Sequence, residues 1–285
     1  QMEKEHGSII RGALAKARKA RKKRPKGRKL EMPSMTSFPS GMQRLPQRLT
    51  EMLGQEVISL NSAVTAIQKI PQGWQVEAQN DAYQAANLVL ALPVNQSLNL
   101  LSPLDGEPPL KKIPESWIAT VVFGFDQVAL PPGFGYLIPE REQRFTLGTL
   151  FSSNMFPNRA PEGHIVFETL IGGRRHPERL LLDDETLIER ALADVNELLE
   201  LPDTPRYTRV LRPSGGIPQL EKDYGRLLQW RNDLVGRNSG LYVCGFGWEG
   251  IGLNDMIKTA SSVGETIISR AIQTQEQAEA KKIYF

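Results

Sequence analysis

A glycine-rich turn near the end of the chain constrains the fold more than any other feature. Residues 241–256, LYVCGFGWEGIGLNDM, join a short apolar run to four glycines and then to a helical pattern that begins near Asn254 and Asp255. Glycines between a strand and a helix let the backbone approach a ligand closely, and a helix N-terminus presents unpaired N–H groups. The turn therefore favours a nucleotide cofactor, although a purely structural turn has the same pattern. The lysine and hydroxyl residue of a P-loop are missing, which argues against ATP hydrolysis.

The composition is that of an ordinary globular protein. The chain has 285 residues, of which 40% are hydrophobic and 24% charged, enough for one or two domains. Its one cysteine, Cys244, cannot form an internal disulfide, and we expect a buried, unreactive thiol in a strand. The three histidines lie too far apart to suggest a metal site. No apolar run approaches the ~20 residues of a membrane-spanning helix.

Basic residues are concentrated in one short stretch. Residues 16–29 hold ten of the lysines and arginines of a chain whose net charge is only +3. A solvated helix end followed by a loop explains this stretch most simply, and contact with an anionic membrane surface stays open as an alternative. Aromatic residues are not interleaved with the charges, which argues against nucleic acid as a partner. We expect a cytoplasmic protein, with peripheral membrane contact as the open question.

The hydrophobic pattern predicts a nucleotide-binding α/β domain interrupted by a second domain. The first part has a helix and short strands ending in an apolar run typical of a buried parallel strand. These elements are predicted at 43–53 for the helix and at 57–60, 63–67, 73–78 and 87–92 for the strands. The second part has the alternation of an antiparallel sheet, with a helix at 184–199 capped by Asp183 or Asp184. Its strands are predicted at 116–125, 134–139, 145–152, 164–171 and 207–211, and the first pattern returns at 241.

Five groups of residues, taken together, resemble the oxygen-dependent protoporphyrinogen oxidase family, whose members are flavoproteins related to the flavin amine oxidases. The block 147–161, LGTLFSSNMFPNRAP, followed by LIGG at 170–173, is the most specific of the matches. The other matching segments are EHGSIIRG at 5–12, SFPSGMQRL at 37–45, GIPQ at 216–219 and EGIGLND at 249–255. They span nearly the whole chain, so the resemblance does not depend on the glycine turn alone.

The resemblance implies FAD as the cofactor and a Rossmann-like FAD-binding domain interrupted by an antiparallel-sheet substrate domain. It assigns residues 31–102 and 236–285 to the two parts of the FAD-binding domain and 103–235 to the substrate-binding domain. Residues 1–30 would be the end of a helical, membrane-associating region. The front of the chain carries neither the glycine-rich pyrophosphate motif nor the acidic ribose-binding residue that follows it, and both are expected upstream.

The resemblance also implies roles for individual residues. The backbone of Val64 would hold the adenine, and the backbones of Ile251, Gly252 and Leu253 would meet the pyrimidine end of the flavin. Gly245, in the same turn, is a further cofactor-binding candidate. Three apolar positions would line the slot for a flat tetrapyrrole, with the plain hydrophobic core as their alternative: Leu137, Leu150 and Leu170.

Several positions depart from the family pattern, and no catalytic residue can be assigned. Pro213 and Leu220 replace a tryptophan and a tyrosine, and Ser40 replaces a glycine. Flavin chemistry needs no nucleophile of the protein's own, which fits the absence of a hydrolase-type triad pattern. Three arginines could contact substrate carboxylates, although surface ion pairing explains each more simply: Arg174, Arg175 and Arg212.

The expected function is oxidation of protoporphyrinogen IX, or of coproporphyrinogen III, with oxygen as the electron acceptor, in haem biosynthesis. Two alternatives stay open: another amine-oxidase-like flavoenzyme with a different substrate, and a non-catalytic fragment without its own FAD site. The expected partners are a tetrapyrrole and molecular oxygen, and a homodimer is compatible with the sequence.

Overall fold

The structure is a computed structural model that describes residues 7–8, 10–12, 14–15, 35–79, 81–104, 106–126, 130–202 and 204–283, with side chains up to 273. The chain divides into two compact units, residues 1–52 and 53–285. The first unit holds most of helix α1 (Arg44–Leu53), which confirms the predicted helix, and Glu51 pairs with Arg44 and Arg48 on its surface. The basic stretch 16–29 lies outside the described residues.

The second unit begins with an antiparallel meander of three strands in the order β1 (Val64–Ile70), β2 (Gly73–Ala78) and β3 (Asp81–Ala85). The first two strands were predicted, and β3 was not, because its five residues are all exposed and carry no apolar alternation. The strand predicted at 57–60 is wrong. A single 3₁₀ turn occupies Gln55–Val57, and Val57 and Leu60 are 65% and 80% exposed, so no apolar face holds this segment in a sheet.

The remaining elements alternate between helices and short strands. The helices are α2 (Val94–Leu101), the single turn α3 (Ser152–Met155), α4 (Asp184–Asn196), α5 (Tyr224–Arg237) and α6 (Leu253–Ile283). The strands are β4 (Leu88–Ala91), β5 (Glu115–Ser116), β6 (Ile118–Asp126), β7 (Gly135–Leu137), β8 (Gly148–Leu150), β9 (His164–Gly172), β10 (Tyr207–Leu211), β11 (Ile217–Pro218) and β12 (Leu241–Cys244). Two further 3₁₀ turns lie at Glu140–Glu142 and Pro177–Leu181. No described helix has both the length and the apolar character needed to cross a bilayer.

A five-stranded antiparallel sheet in the order β10-β6-β9-β8-β7 confirms the predicted second block. One face packs against α4 around Phe123, Phe125 and Phe167, and the rings of Phe125 and Phe167 stack 5.8 Å apart. Helix α4 begins at Asp183, whose side chain accepts a hydrogen bond from Thr186 N at 2.7 Å. The helix ends at Asn196, three residues earlier than predicted. The opposite face of the sheet, turned away from α4, is called the outer face below.

Strands β4 and β12 pair in parallel, with Leu88 opposite Leu241 and Ala91 opposite Cys244. This pairing confirms the predicted parallel strand and brings residues from the two ends of the second unit together. Leu90, Leu241 and Val243 join a second core with residues of the meander, α2 and α5. Strand β4 is less buried than predicted, because Val89 is 40% exposed and Ala91 is exposed as well.

Strands β5 and β11 pair antiparallel, with Ser116 opposite Ile217. They belong to the two segments through which the chain enters and leaves the block that contains the five-stranded sheet. The chain therefore runs out from one core and returns to it, as the sequence pattern predicted. The mixed helix and strand content confirms the α/β interpretation.

Candidate functional site

The glycine turn at 245–252 is shaped by its own surroundings. Gly245 has φ +117°, and a Cβ there would lie 2.6 Å from the carbonyl oxygen of Leu92. Gly247 has φ +93°, and its Cβ would lie 2.9 Å from the ring of Pro218. The close approach of the segments after β4 and around β11 thus accounts for two of the glycines without a ligand.

Hydrogen bonds inside the turn restrict what it can offer a ligand. Residues 245–250 have the spacing G-x-G-x-x-G and follow a strand, yet α6 begins only at Leu253. The N–H of Gly247 donates to the carbonyl of Gly250 at 2.9 Å, and the N–H of Trp248 donates to the carbonyl of Gly245 at 3.2 Å. Because these two N–H groups point into the turn, it is not the phosphate cradle that this spacing forms in dinucleotide-binding domains.

The N-terminus of α6 is the part of the turn that can bind a cofactor. The carbonyl of Gly252 accepts from the N–H groups of Asp255 and Met256, so the N–H groups of Leu253 and Asn254 precede the first intrahelical bonds. Ile251 and Leu253 are exposed, which leaves this backbone accessible. Backbone donors at a positive helix end fit the pyrimidine edge of a flavin, which accepts hydrogen bonds and becomes negative on reduction. The residues present therefore fit that part of the cofactor.

Two features indicate that this turn can bind only the pyrimidine edge of the cofactor and not its phosphates or its adenine. The Asp255 carboxylate lies beside Gly250 and Gly252, and its negative charge disfavours a phosphate there and offsets part of the positive potential of the helix end. Val64, predicted to hold the adenine, lies at the start of β1 opposite Ala78 in the meander. The structure thus brings four of the five predicted cofactor residues into one turn and leaves Val64 in another element.

Trp248 anchors the turn to the core. Its side chain is fully buried, and its Nε1 donates to Ser97 Oγ on α2 at 3.3 Å. Its carbonyl accepts a hydrogen bond of 2.6 Å from the Tyr224 hydroxyl on α5. Burial raises the pKa of the Tyr224 phenol to about 12, and the nearby Glu249 carboxylate adds to the rise. Tyr224 therefore remains a proton donor throughout the neutral range.

Arg231 on α5 forms the second anchor. Its guanidinium donates to the carbonyl of Val243 at 2.8 Å, pairs with Glu249 and lies 5.4 Å from the centre of the Trp248 ring. Sequence reasoning missed this role because it did not predict α5, whose glycines and polar residues weaken the helical pattern. Cys244 is buried as predicted, and burial raises the pKa of its thiol, which keeps it unreactive at neutral pH.

The three predicted slot leucines lie together on the outer face of the five-stranded sheet. Leu137 pairs with Gly148, and Gly148 pairs with Leu170, so all three side chains point to the same side. Leu150, two residues after Gly148, shares that side. Leu137 is 77% exposed and the other two leucines are half-buried, so they are not part of the core against α4.

The surroundings of these leucines are flat and apolar. A Cβ at Gly148 would lie 2.3 Å from the carbonyl oxygen of Tyr136, so this position accepts only glycine and leaves the sheet surface low between the leucines. Val122 and Val166 extend the apolar surface along β6 and β9. A cavity of about 540 Å³ opens at the β7 edge of the sheet, where Leu137 meets Phe151 and Leu199 of the α4 side, and Arg141, Glu142 and Arg144 also line it. Such a surface suits a large, flat hydrocarbon ligand.

Glu168 is a polar group on this surface that sequence reasoning missed. It lies opposite Leu150 on β8, and its Oε1 accepts a hydrogen bond of 3.0 Å from Ser152 Oγ. In the sequence it has the appearance of an ordinary solvent-facing residue of an alternating strand. Only the register of β8, β9 and β6 reveals that its neighbours on the same face are apolar.

The three candidate carboxylate-binding arginines are each held in an ion pair. Arg174 contacts Glu221 at 2.6 Å, and Arg175 contacts Glu140 at 3.2 Å. Arg212 contacts Asp184 at 2.7 Å and also donates to the carbonyls of residues 180 and 182. Surface ion pairing, the simpler interpretation, is what the structure contains.

Comparison with known proteins gives the family of the chain. The model of the family described as flavin containing amine oxidoreductase matches residues 1–237. The mitochondrial protoporphyrinogen oxidase of Nicotiana tabacum is 26% identical over 94% of this chain and 59% of its own length. Coproporphyrinogen III oxidase of Bacillus subtilis is 22% identical over 90% of this chain and 55% of its own length.

The fold is similar to solved structures as well. A crystal structure from Exiguobacterium, of a protein assigned as a protoporphyrinogen oxidase, has a TM-score of 0.72 at 23% identity, over 93% of this chain and 56% of that one. The chain thus spans little more than half the length of the relatives it matches. The family match covers most of its residues, and the chain belongs to the flavin containing amine oxidoreductase family.

Proposed function

We propose that this chain is part of an FAD-dependent oxidase of protoporphyrinogen IX or coproporphyrinogen III that acts in haem biosynthesis. The supporting observation is that three leucines distant in sequence meet on one open sheet face: Leu137, Leu150 and Leu170. The names of the relatives point to the same class of substrate. A porphyrinogen is a large, mainly hydrocarbon ring, and burying it against apolar side chains contributes roughly 25 cal/mol per Å².

The residues of this chain would position the substrate and the cofactor, and the flavin would supply the hydride acceptor and the route of electrons to oxygen. The leucines would exclude water from one side of the macrocycle. The backbones of Ile251, Gly252 and Leu253 would meet the pyrimidine edge of the flavin. Trp248, Tyr224 and Arg231 would keep that turn rigid. Val64 and Gly245 would complete the cofactor contacts of this chain.

The organisation of the domains and the partners follows from the same proposal. Residues 31–102 and 236–285 would form the FAD-binding domain around the substrate domain at 103–235, with 1–30 as the end of a helical region. Oxygen would be the electron acceptor. The basic stretch 16–29 would give a cytoplasmic protein contact with an anionic membrane surface, and a homodimer is compatible with this arrangement.

Anaerobic reduction of the bound flavin tests the function. A purified protein that contains residues 1–285 is supplied with FAD and mixed, without oxygen, with protoporphyrinogen IX or coproporphyrinogen III. The proposal predicts loss of the long-wavelength flavin absorbance together with the appearance of porphyrin fluorescence. Admission of air should restore the flavin absorbance and produce hydrogen peroxide.

Two results would favour the alternatives. A flavin that stays oxidised with both porphyrinogens but is reduced by a diamine such as putrescine would indicate an amine oxidase. A protein that folds cooperatively and takes up no FAD under any reconstitution conditions would indicate a non-catalytic role. The rates with the two porphyrinogens, compared in the same preparation, would identify the preferred substrate.

A further inference from the structure

Glu168 stands out on the outer face of the sheet. On the five described strands of the sheet, the other ionisable groups of the outer face are Asp126 and His164 at the strand ends and Tyr207 and Arg209 on the edge strand β10. Glu168 lies in the middle of the face, where Leu150 and Val122 are its cross-strand partners. On its own strand, Leu170 lies two residues away on the same side.

The carboxylate of Glu168 is held in place and can still accept hydrogen bonds from a ligand. Ser152, at the start of the single turn α3, donates to Oε1 at 3.0 Å. No other hydrogen bond to this carboxylate occurs among the described residues. An ionised carboxylate has roughly four acceptor positions, so Oε2 and part of Oε1 stay available.

A macrocycle that covers the leucines also covers this carboxylate, and the four sp³ bridges of a porphyrinogen let its pyrrole N–H groups turn out of the ring plane toward the sheet. Burying an ionised carboxylate without partners costs several kcal/mol, so the ligand that binds best is one that supplies donors there. A porphyrinogen has four pyrrole N–H donors and no acceptor nitrogen near its centre. An oxidised porphyrin has two N–H donors and two nitrogens whose lone pairs repel a carboxylate.

We propose that Glu168 accepts hydrogen bonds from the pyrrole N–H groups of a bound porphyrinogen and makes the outer face bind the reduced macrocycle more tightly than the porphyrin. This inference rests on the proposed function, because it takes a tetrapyrrole as the ligand of the face. In this inference, Glu168 favours binding of the substrate and release of the product. Ser152 holds the Glu168 carboxylate in position.

Binding rather than turnover tests this role. The 285-residue chain is titrated anaerobically with coproporphyrinogen III and, separately, with coproporphyrin III, with tryptophan fluorescence as the signal. The wild-type chain should bind the porphyrinogen about tenfold or more tightly than the porphyrin, in line with hydrogen bonds to a charged acceptor. Glu168→Leu should reduce that ratio to about one, mainly by weakening porphyrinogen binding.

Three further variants separate the role of Glu168 from a general effect on the fold. Glu168→Gln keeps the shape and one acceptor and should give an intermediate ratio. Ser152→Ala should lower the ratio less than Glu168→Leu, since it loosens the carboxylate without removing it. Glu189→Gln, at an exposed position of α4 on the other side of the sheet, should bind as the wild type does. Equal urea midpoints would establish that all variants are folded.

The outcomes distinguish the two proposals. If the wild-type chain prefers the porphyrinogen and Glu168→Leu keeps that preference, the role of Glu168 is overturned while a tetrapyrrole site remains. If the wild-type chain binds neither compound, both this inference and the proposed substrate class are overturned. If Glu168→Leu abolishes the preference for the porphyrinogen and Glu189→Gln retains it, the result supports both the role of Glu168 and the proposed substrate class.

Discussion

Single side chains hold the glycine turn in place, and Tyr224 is the most consequential of them. Its hydroxyl is the donor to the carbonyl of Trp248, and its folded-state pKa of about 12 lies above the ordinary value of 10.0. A raised acid pKa means that the folded protein keeps a proton that the unfolded chain loses. The stabilisation is complete below pH 10 and is lost as the pH rises toward 12.

Tyr224→Phe therefore has two expected effects. At neutral pH it should lower the free energy of unfolding by about 1 kcal/mol, because the Trp248 carbonyl loses its donor. Above pH 10 the difference in free energy of unfolding between wild type and variant should shrink. Only the wild type has a phenol at this position whose ionisation lowers the stability. Urea unfolding of both proteins at neutral pH and at successive steps above pH 10 measures this. A difference that stays constant with pH would contradict the role of Tyr224.

The backbone conformation and close surroundings of Gly245 leave no room for a side chain at this position. Gly245→Ala should lower the free energy of unfolding by about 2 kcal/mol or more, because its Cβ meets the Leu92 carbonyl oxygen and its φ is positive. Gly225→Ala is the matched control: it lies on α5 with open space around its Cβ, and should be neutral or stabilising by up to ~1 kcal/mol. Similar losses in both variants, measured by urea unfolding, would refute this explanation.

At the scale of elements, a buried ionic cluster joins helix α4 to the segment before β8. The Asp194 carboxylate accepts from Thr146 Oγ1 at 2.5 Å and Thr146 N at 3.1 Å. Arg144 Nε lies 3.1 Å from Asp194 Oδ1, in an ion pair that lacks hydrogen-bond geometry, and its Nη1 contacts Glu197 at the surface. The cluster fixes α4 against the sheet whose outer face is the candidate substrate surface.

Asp194→Ala should be strongly destabilising. It leaves Arg144 mostly buried without its main partner, which typically costs 3–5 kcal/mol. Glu197→Ala removes the exposed partner of the same arginine and should cost less than about 1 kcal/mol. Thermal or urea unfolding of the two variants measures the contrast. If the two variants were equally stable, the cluster would not hold α4 to the sheet.

The elements that the sequence could predict are those whose pattern and burial agree. Strands β2 and β10 have the predicted bounds, and β12 begins at the predicted residue 241, because apolar alternation or a continuous apolar run marks them. Helix α5 was missed because only Tyr224, Leu227 and Leu234 are buried along its fourteen residues. Strand β3 was missed because pairing with β2, and not its own pattern, makes it a strand.

The candidate site was predictable only in part, because some of its residues depend on tertiary pairing and not on a local sequence pattern. The glycine spacing indicated the turn, whereas the leucines and the roles of single turn residues were identified by resemblance. The alternation of the leucines alone is equally typical of a hydrophobic core. Glu168 and Arg231 depend on strand register and on helix packing, which bring together residues far apart in the chain. The roles of Glu168 and Arg231 therefore cannot be predicted from a single sequence without knowledge of those pairings.

At the scale of the whole molecule, the parallel pair β4–β12 leaves apolar surface uncovered. Tyr242 is covered by α6, where Arg270 contacts its hydroxyl, but its neighbour Val89 on the same face is 40% exposed. Ile257 and Ile268 of α6 are exposed as well. Within the described residues, β4 pairs only with β12. Exposed apolar surface beside an unpaired strand edge favours association.

The 285-residue chain should therefore self-associate as its concentration rises. Val89→Lys combined with Ile268→Lys should lower the average mass at a given concentration. Leu181→Lys, at an isolated position that is 86% exposed, should leave it unchanged. Light scattering over a concentration series gives the mass. A wild-type chain that stays monomeric over the whole series would contradict the importance of this surface.

The outer face of the five-stranded sheet is proposed to bind a tetrapyrrole, and a charge placed on that face tests this binding. Leu150→Asp places a charge in the middle of the face, whereas Leu181→Asp places the same charge on an exposed 3₁₀ turn. The dissociation constant for coproporphyrin III should rise at least about tenfold in Leu150→Asp, through lost apolar contact and charge repulsion, and stay at the wild-type value in Leu181→Asp. Equal affinities in all three proteins would show that the outer face does not bind the tetrapyrrole.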